Sequence, residues 1–124
     1  MRVLIADDDR DMAEVLTAYV EQCGHEVVGT VTGGGLAVIQ AFARFEPDAV
    51  LLDIMMPRFN GLTVSHALHS RNPNAKIIFV SGSIDASHPF ISGCKASGYL
   101  QKPVSLDELR RALETAEPGS GVLA

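Results

Sequence analysis

The sequence predicts an α/β domain of five strand–helix units: a doubly wound parallel sheet with helices on both faces. Three observations predict it. Short apolar runs recur at Val3 to Ala6, Val27 to Val31, Ala49 to Leu52, Ile77 to Val80 and, more weakly, Gly98 to Gln101. Runs of this kind, without polar alternation, suit strands covered on both faces. Helix-like segments separate them, and strands joined by helices run parallel with right-handed crossovers. The chain has 124 residues, the size of one ordinary domain.

Each element has its own local warrant. After the first strand, Met12, Val15, Leu16, Tyr19, Val20 and Cys23 recur at helical spacing from Asp9 onward, and Gly24 is a natural stop. Asp9 reads as the cap of that helix, accepting its free amides. Gly33-Gly34-Gly35 follows the second strand and reads as a flexible loop. It lacks the position and spacing of a dinucleotide-binding turn. Leu36, Ile39, Phe42 and Ala43 predict a second helical stripe, ended before Pro47. A third helix opens at Asn60-Gly61, runs to about Ser70 and is closed by Asn72-Pro73. Between Ser81 and Tyr99, Pro89 and Gly93 interrupt a brief apolar segment at Phe90 and Ile91, so a fourth helix there is expected to be short or mobile. The last helix is the best marked. Ser105 and Glu108 form a capping box, and Leu106, Leu109, Leu113 and Ala116 supply its buried stripe. The domain is expected over residues 1–117, with a disordered tail over 118–124.

Composition narrows the function classes. The chain is 47% hydrophobic and 20% charged, which excludes a disordered chain. Its formal charge is −5, its pI about 5.2 and its mean hydropathy +0.18. The basic residues are scattered, so no patch for nucleic acid or an anionic membrane is expected. No apolar run approaches the ~20 residues of a spanning helix. Cys23 and Cys94 read as buried free thiols, which fits a reducing cytoplasm.

The chemistry lies where strands end. Asp7 and Asp8 follow the first strand, Asp53 the third, Ser81 the fourth and Lys102 the fifth. In a parallel sheet these positions emerge at one edge, where ligands of open α/β sheets bind. Three carboxylates brought together repel one another, and a divalent cation removes the conflict. Hard oxygen ligands and an incomplete protein cage favour Mg²⁺, which keeps waters and leaves positions for a phosphate. A phosphoryl group between that metal and Lys102, with Ser81 donating a hydrogen bond, meets the needs of phosphoryl transfer. Asp53 stands alone at the tip of the central apolar run and is the best nucleophile candidate. The Lys102-Pro103 bond is a candidate cis peptide able to aim Lys102 into the site.

Taken together, Val3 to Asp9, Leu51 to Pro57 with Asn60-Gly61, Val80-Ser81-Gly82 and Gly98 to Pro103 resemble the response-regulator receiver domain of two-component signalling. The match covers about residues 2–116. The resemblance implies a flavodoxin-like fold with strand order 2-1-3-4-5. It implies that Asp53 accepts phosphate from a histidine kinase or a histidine phosphotransfer protein. Asp8, Asp53 and the Met55 carbonyl would ligate Mg²⁺, with Asp7 holding a metal-bound water. Ser81 and Lys102 would contact the phosphoryl group, and Tyr99 would be the aromatic switch that turns inward with Ser81. The response face would comprise the fourth helix, the fifth strand and the last helix. With no output module after the last helix, the chain resembles a stand-alone receiver or one excised from a longer protein. It would act on an unknown downstream protein, without catalysing anything beyond its own phosphorylation and dephosphorylation.

Blander readings compete residue by residue. Tyr99 is also a plausible core filler. His66 and His69 are too few for a metal site and fit a solvated helix face. Two other functions compete with this reading. A flavin-mononucleotide carrier would want a hydroxyl- and glycine-rich phosphate loop after the first strand, where three aspartates stand. A Mg²⁺-dependent phosphatase or nuclease fits Asp7-x-Asp9 superficially, but the chain is short for one and has no capping module.

Overall fold

A computed structural model of the chain describes residues 1–54, 61–82 and 96–116. Met55, the segment expected to hold the fourth helix, Cys94 and the tail lie outside the described residues. The elements run β1 (Arg2–Ala6), α1 (Arg10–Gln22), β2 (Glu26–Val31), α2 (Gly35–Phe45), β3 (Ala49–Asp53), α3 (Gly61–Arg71), β4 (Lys76–Ser81), β5 (Gly98–Gln101) and α4 (Leu106–Ala116). The sheet order is β2-β1-β3-β4-β5 and every pairing is parallel. The expected fold class and strand order are therefore the observed ones.

Strand alternation divides the interior into two cores. Leu4, Val50, Leu52, Ile77 and Phe79 face Val38 and Phe42 of α2 and Val64 and Leu68 of α3. Val3, Ile5, Leu51, Ile78 and Val80 face Leu16 and Val20 of α1 and Leu109 and Leu113 of α4. All five residues of β3 are buried, as expected of a strand with neighbours and helices on every side. That burial is what makes its last residue unusual, because that residue is Asp53.

The helix boundaries follow their caps. Asp9 accepts hydrogen bonds from the amides of Asp11 (2.9 Å) and Met12 (3.3 Å), as a cap should. The Ser105 hydroxyl accepts from the Glu108 amide at 3.1 Å. Two apolar stripes differ from the sequence expectation. In α1 the buried residues are Ala13, Leu16 and Val20, and Val15 is 41% exposed. In α2 the buried face is Gly35, Val38 and Phe42, and Leu36 is 69% exposed. Leu36 lies two residues from Val38, about 200° round the helix, so both cannot face the sheet. The glycine run is not the loose loop it suggested. Gly34, with φ +104, caps α2, Gly35 begins it, and both are buried. A residue with a Cβ would be strained at that φ. Cys23 is free and half-buried rather than fully buried. His66 is exposed, whereas His69 is half-buried with its Nε2 3.2 Å from the Ala75 carbonyl. No helix among the described residues is long and apolar enough to cross a membrane.

Candidate functional site

The parallel ladder delivers the acidic residues to one edge. Asp7 leaves β1 with its amide bonded to the Val31 carbonyl at 3.0 Å, which continues the β1–β2 pairing by one residue. Its Oδ1 accepts from the Asp9 amide at 2.9 Å, a turn that fixes the carboxylate and hands the chain to the α1 cap. Asp53 ends β3 in register with Val80, and the Ile54 amide extends that ladder to the Val80 carbonyl at 3.2 Å. The Lys102 amide bonds the Ser81 carbonyl at 2.7 Å, tying the end of β5 to the end of β4. The Lys102–Pro103 peptide is cis.

The side chains then meet. Lys102 Nζ lies 3.0 Å from Asp7 Oδ2 and 3.3 Å from Asp53 Oδ2. Asp7 is 0% and Asp53 2% exposed, while Asp8 is exposed at the mouth. One carboxylate oxygen from each of Asp7, Asp8 and Asp53 falls within 4.8 Å of the others. Ser81 is fully buried at the end of β4, opposite Gln101 of β5. Tyr99 is half-buried and packs against the α2–α3 core. Thus Asp7, Asp8, Asp53 and Lys102 converge, with Ser81 on the adjacent strand end. Met55 lies outside the described residues.

The electrostatics are unbalanced. Three carboxylates and one ammonium leave a formal charge of −2, with two of the three acids out of water. Burial alone lowers the pKa of the Lys102 ammonium from its ordinary 10.5, but the pull of Asp7 and then Asp53 outweighs it and the net direction is upward. Lys102 is therefore a fixed cation shared by both buried acids. It does not satisfy them fully: one ammonium faces two buried carboxylates, and among the described residues its ion pair is the contact that Asp7 Oδ2 makes. A buried charge so poorly compensated is costly. An all-oxygen donor set whose negative charge exceeds the one ammonium beside it, with two of its acids buried, fits a small hard dication such as Mg²⁺.

One acid escaped the sequence reading. Asp48 is exposed and far from this edge, yet it stitches β1, β3 and β4 together at their other ends. Its role depends on backbone partners that no local signal reveals.

The chain is similar to known proteins. The family model for the response regulator receiver domain matches residues 3–114. The probable transcriptional regulatory protein TcrX of Mycobacterium tuberculosis is 34% identical over 122 residues, covering 97% of this chain and 51% of that protein. The response regulator MprA of Mycobacterium leprae is 35% identical over 111 residues, covering 88% of this chain and 47% of its own. The chain thus spans about half the length of these curated relatives. Among solved structures, the signal receiver domain of a modulated diguanylate cyclase from Desulfovibrio desulfuricans superposes with a TM-score of 0.83 at 30% identity, covering 99% of this chain and 98% of that one.

Proposed function

Because this chain belongs to the response regulator receiver family of two-component signalling, we propose that it is a phosphoacceptor switch whose accepting residue is Asp53. The observation that carries this reading is the shared contact of Lys102 with Asp7 and Asp53 beside Asp8, at the edge where all five strands end. The phosphodonor is a histidine kinase or a histidine phosphotransfer protein. A carboxylate oxygen of Asp53 attacks phosphorus, the donor's P–N bond breaks, and imidazole leaves as an acyl phosphate forms. When bound, Mg²⁺ neutralises phosphoryl oxygens. Asp8 and Asp53 would hold it, with Asp7 positioned for a bound water and Met55 for its carbonyl. Lys102 then exchanges its carboxylate partners for a phosphoryl oxygen, and Ser81 supplies a hydroxyl. Those two contacts exist only in the phosphorylated state, so they are what can shift the conformational balance. Tyr99 follows Ser81, and the face of β5, α4 and the segment between Ser81 and Tyr99 changes its affinity for a downstream protein.

The switch is proposed to work in the cytoplasm, with no nucleic-acid or membrane contact through this domain and no turnover beyond its own phosphorylation and dephosphorylation. TcrX and MprA are about twice as long as this chain. The test is direct. Mg²⁺ with acetyl phosphate should add one phosphoryl group to the wild type by intact mass, and Asp53→Asn should take up none. Equal labelling of the variant would overturn the assignment. Lys102→Ala should keep Mg²⁺ binding but lose most of the conformational response to beryllofluoride. Steady turnover of a chromogenic phosphate ester would instead mark a hydrolase.

A further inference from the structure

The flank of α1 that faces the open edge of the sheet plays no part in the phosphoacceptor site. β2 is an outermost strand, with β1 as its neighbour in the sheet. Between β2 and α1 runs an open groove of about 570 Å³, flanked by Thr30 and Thr32 and lined along the helix by Arg10, Ala13, Glu14, Thr17, Ala18 and Glu21. Those six residues follow one another at helical spacing and form a single row.

The charges in that row suit the isolated helix poorly. Arg10 opens α1 and Glu21 lies in its last turn, each at the end where the helix dipole disfavours its sign. The last turn has no basic residue to offset Glu21. Arg10, Glu14 and Glu21 are all exposed, and none joins an ion pair among the described residues. The row is also its own complement. Taken from the outside inward, Arg10 is matched with Glu21, Ala13 with Ala18, and Glu14 with Thr17. That nesting is what a twofold contact demands, since residue i meets j while j meets i.

We propose that two copies of this chain associate through the groove about a twofold axis, with their α1 helices antiparallel and Arg10 of each copy against Glu21 of the other. Antiparallel packing places the positive end of each dipole beside the negative end of its mate and gives both misplaced charges a partner. Ala18 of one copy sits over the floor that Ala13 forms in the other, and two small residues allow close approach. One term opposes association. The two Glu14 carboxylates lie near the axis and repel each other.

Sedimentation equilibrium on metal-free, unphosphorylated protein tests this independently of any phosphoacceptor role. At low ionic strength the chain should dimerise between ~10 µM and ~1 mM, as expected of a small contact held largely by exposed ion pairs, and added salt should weaken it. Arg10→Glu should weaken the dimer by about tenfold or more, whereas the swap Arg10→Glu with Glu21→Arg should recover it to within about threefold. Glu14→Gln should tighten it. The substituted side chains are exposed, and circular dichroism checks that each variant folds. A chain that stays monomeric to ~1 mM leaves the groove to another occupant and overturns the proposal. A dimer indifferent to Arg10→Glu, or one the swap does not rescue, uses another face and overturns it equally.

Discussion

The two edges of the sheet use the same residue type to opposite ends. At the amino ends of the strands, Asp48 accepts the Arg2 amide on Oδ2 at 2.8 Å and returns its own amide to the Arg2 carbonyl at 2.8 Å. Its carbonyl accepts from the Lys76 amide at 3.0 Å, and Arg2 Nη1 donates to the Glu46 carbonyl at 3.0 Å. Asp48 is exposed and carries a single charge in water, so it needs no counterion. At the carboxyl ends, Asp7 and Asp53 are buried and share one ammonium with the exposed Asp8 nearby. The first edge is stitched by hydrogen bonds among its own groups, and these contribute stability. The second is open: its negative charge exceeds its positive charge, and it gains most from a cation the chain does not itself supply. Where a fold leaves buried charge uncompensated, binding energy is in reserve, and function belongs there.

The largest expected effect separates the edges by metal. Any ligand held only by the folded state stabilises it by about 2.7 kcal/mol at a hundred times its Kd. Mg²⁺ should do this for the wild type and for Asp48→Asn alike. In Asp8→Asn, a loss of about thirtyfold in affinity would cut the gain to below ~1 kcal/mol at the same Mg²⁺ concentration. Denaturant unfolding with and without Mg²⁺ reads both, and an equal loss in Asp48→Asn would erase the distinction. Next in size, Asp48→Ala should cost about 1 kcal/mol through its lost hydrogen bond, with the same cost whether Mg²⁺ is present or absent. A Mg²⁺-dependent cost would mean the edges are coupled. Away from both edges, the buried Ser65 hydroxyl has no hydrogen-bond partner among the described residues, and Ser65→Ala should stabilise the fold by up to ~1 kcal/mol in the same unfolding assay.

The smallest effect is a pH dependence. The pKa of Lys102 is raised on folding, so its contribution is fully present below its unfolded value near 10.5 and is lost as pH climbs through the higher folded value. Metal-free Lys102→Met should therefore lose less stability than the wild type above about pH 10.5. Identical alkaline limbs would show that the shared contact with Asp7 and Asp53 contributes nothing.

Much of this molecule is written locally. The apolar runs mark five strands, Asp9 and Ser105 mark where two helices begin, and a parallel sheet brings Asp7, Asp8, Asp53, Ser81 and Lys102 to one edge whatever the strand order. These follow from short-range physics, namely the alternation of side chains along a strand, the free amides of a helix start, and the rule that parallel strands end together. Helical spacing was less informative. It supplies a stripe but not its centre: spacing places Val15 and Leu36 on the buried stripe, whereas Ala13, Val38 and Gly35 occupy it.

What only the tertiary structure decided is which groups share a partner. Strand order does not follow from periodicity, and the resemblance alone supplied it. That Lys102 stands closer to Asp7 than to Asp53, that Asp8 alone of the three acids meets solvent, and that Asp48 binds β1 rather than a ligand all depend on contacts across 46 to 95 residues of chain. The physical reason is that charge is evaluated over distance in space. A sequence lists acids and bases, but their balance is struck only when folding has removed water and set them a few ångströms apart.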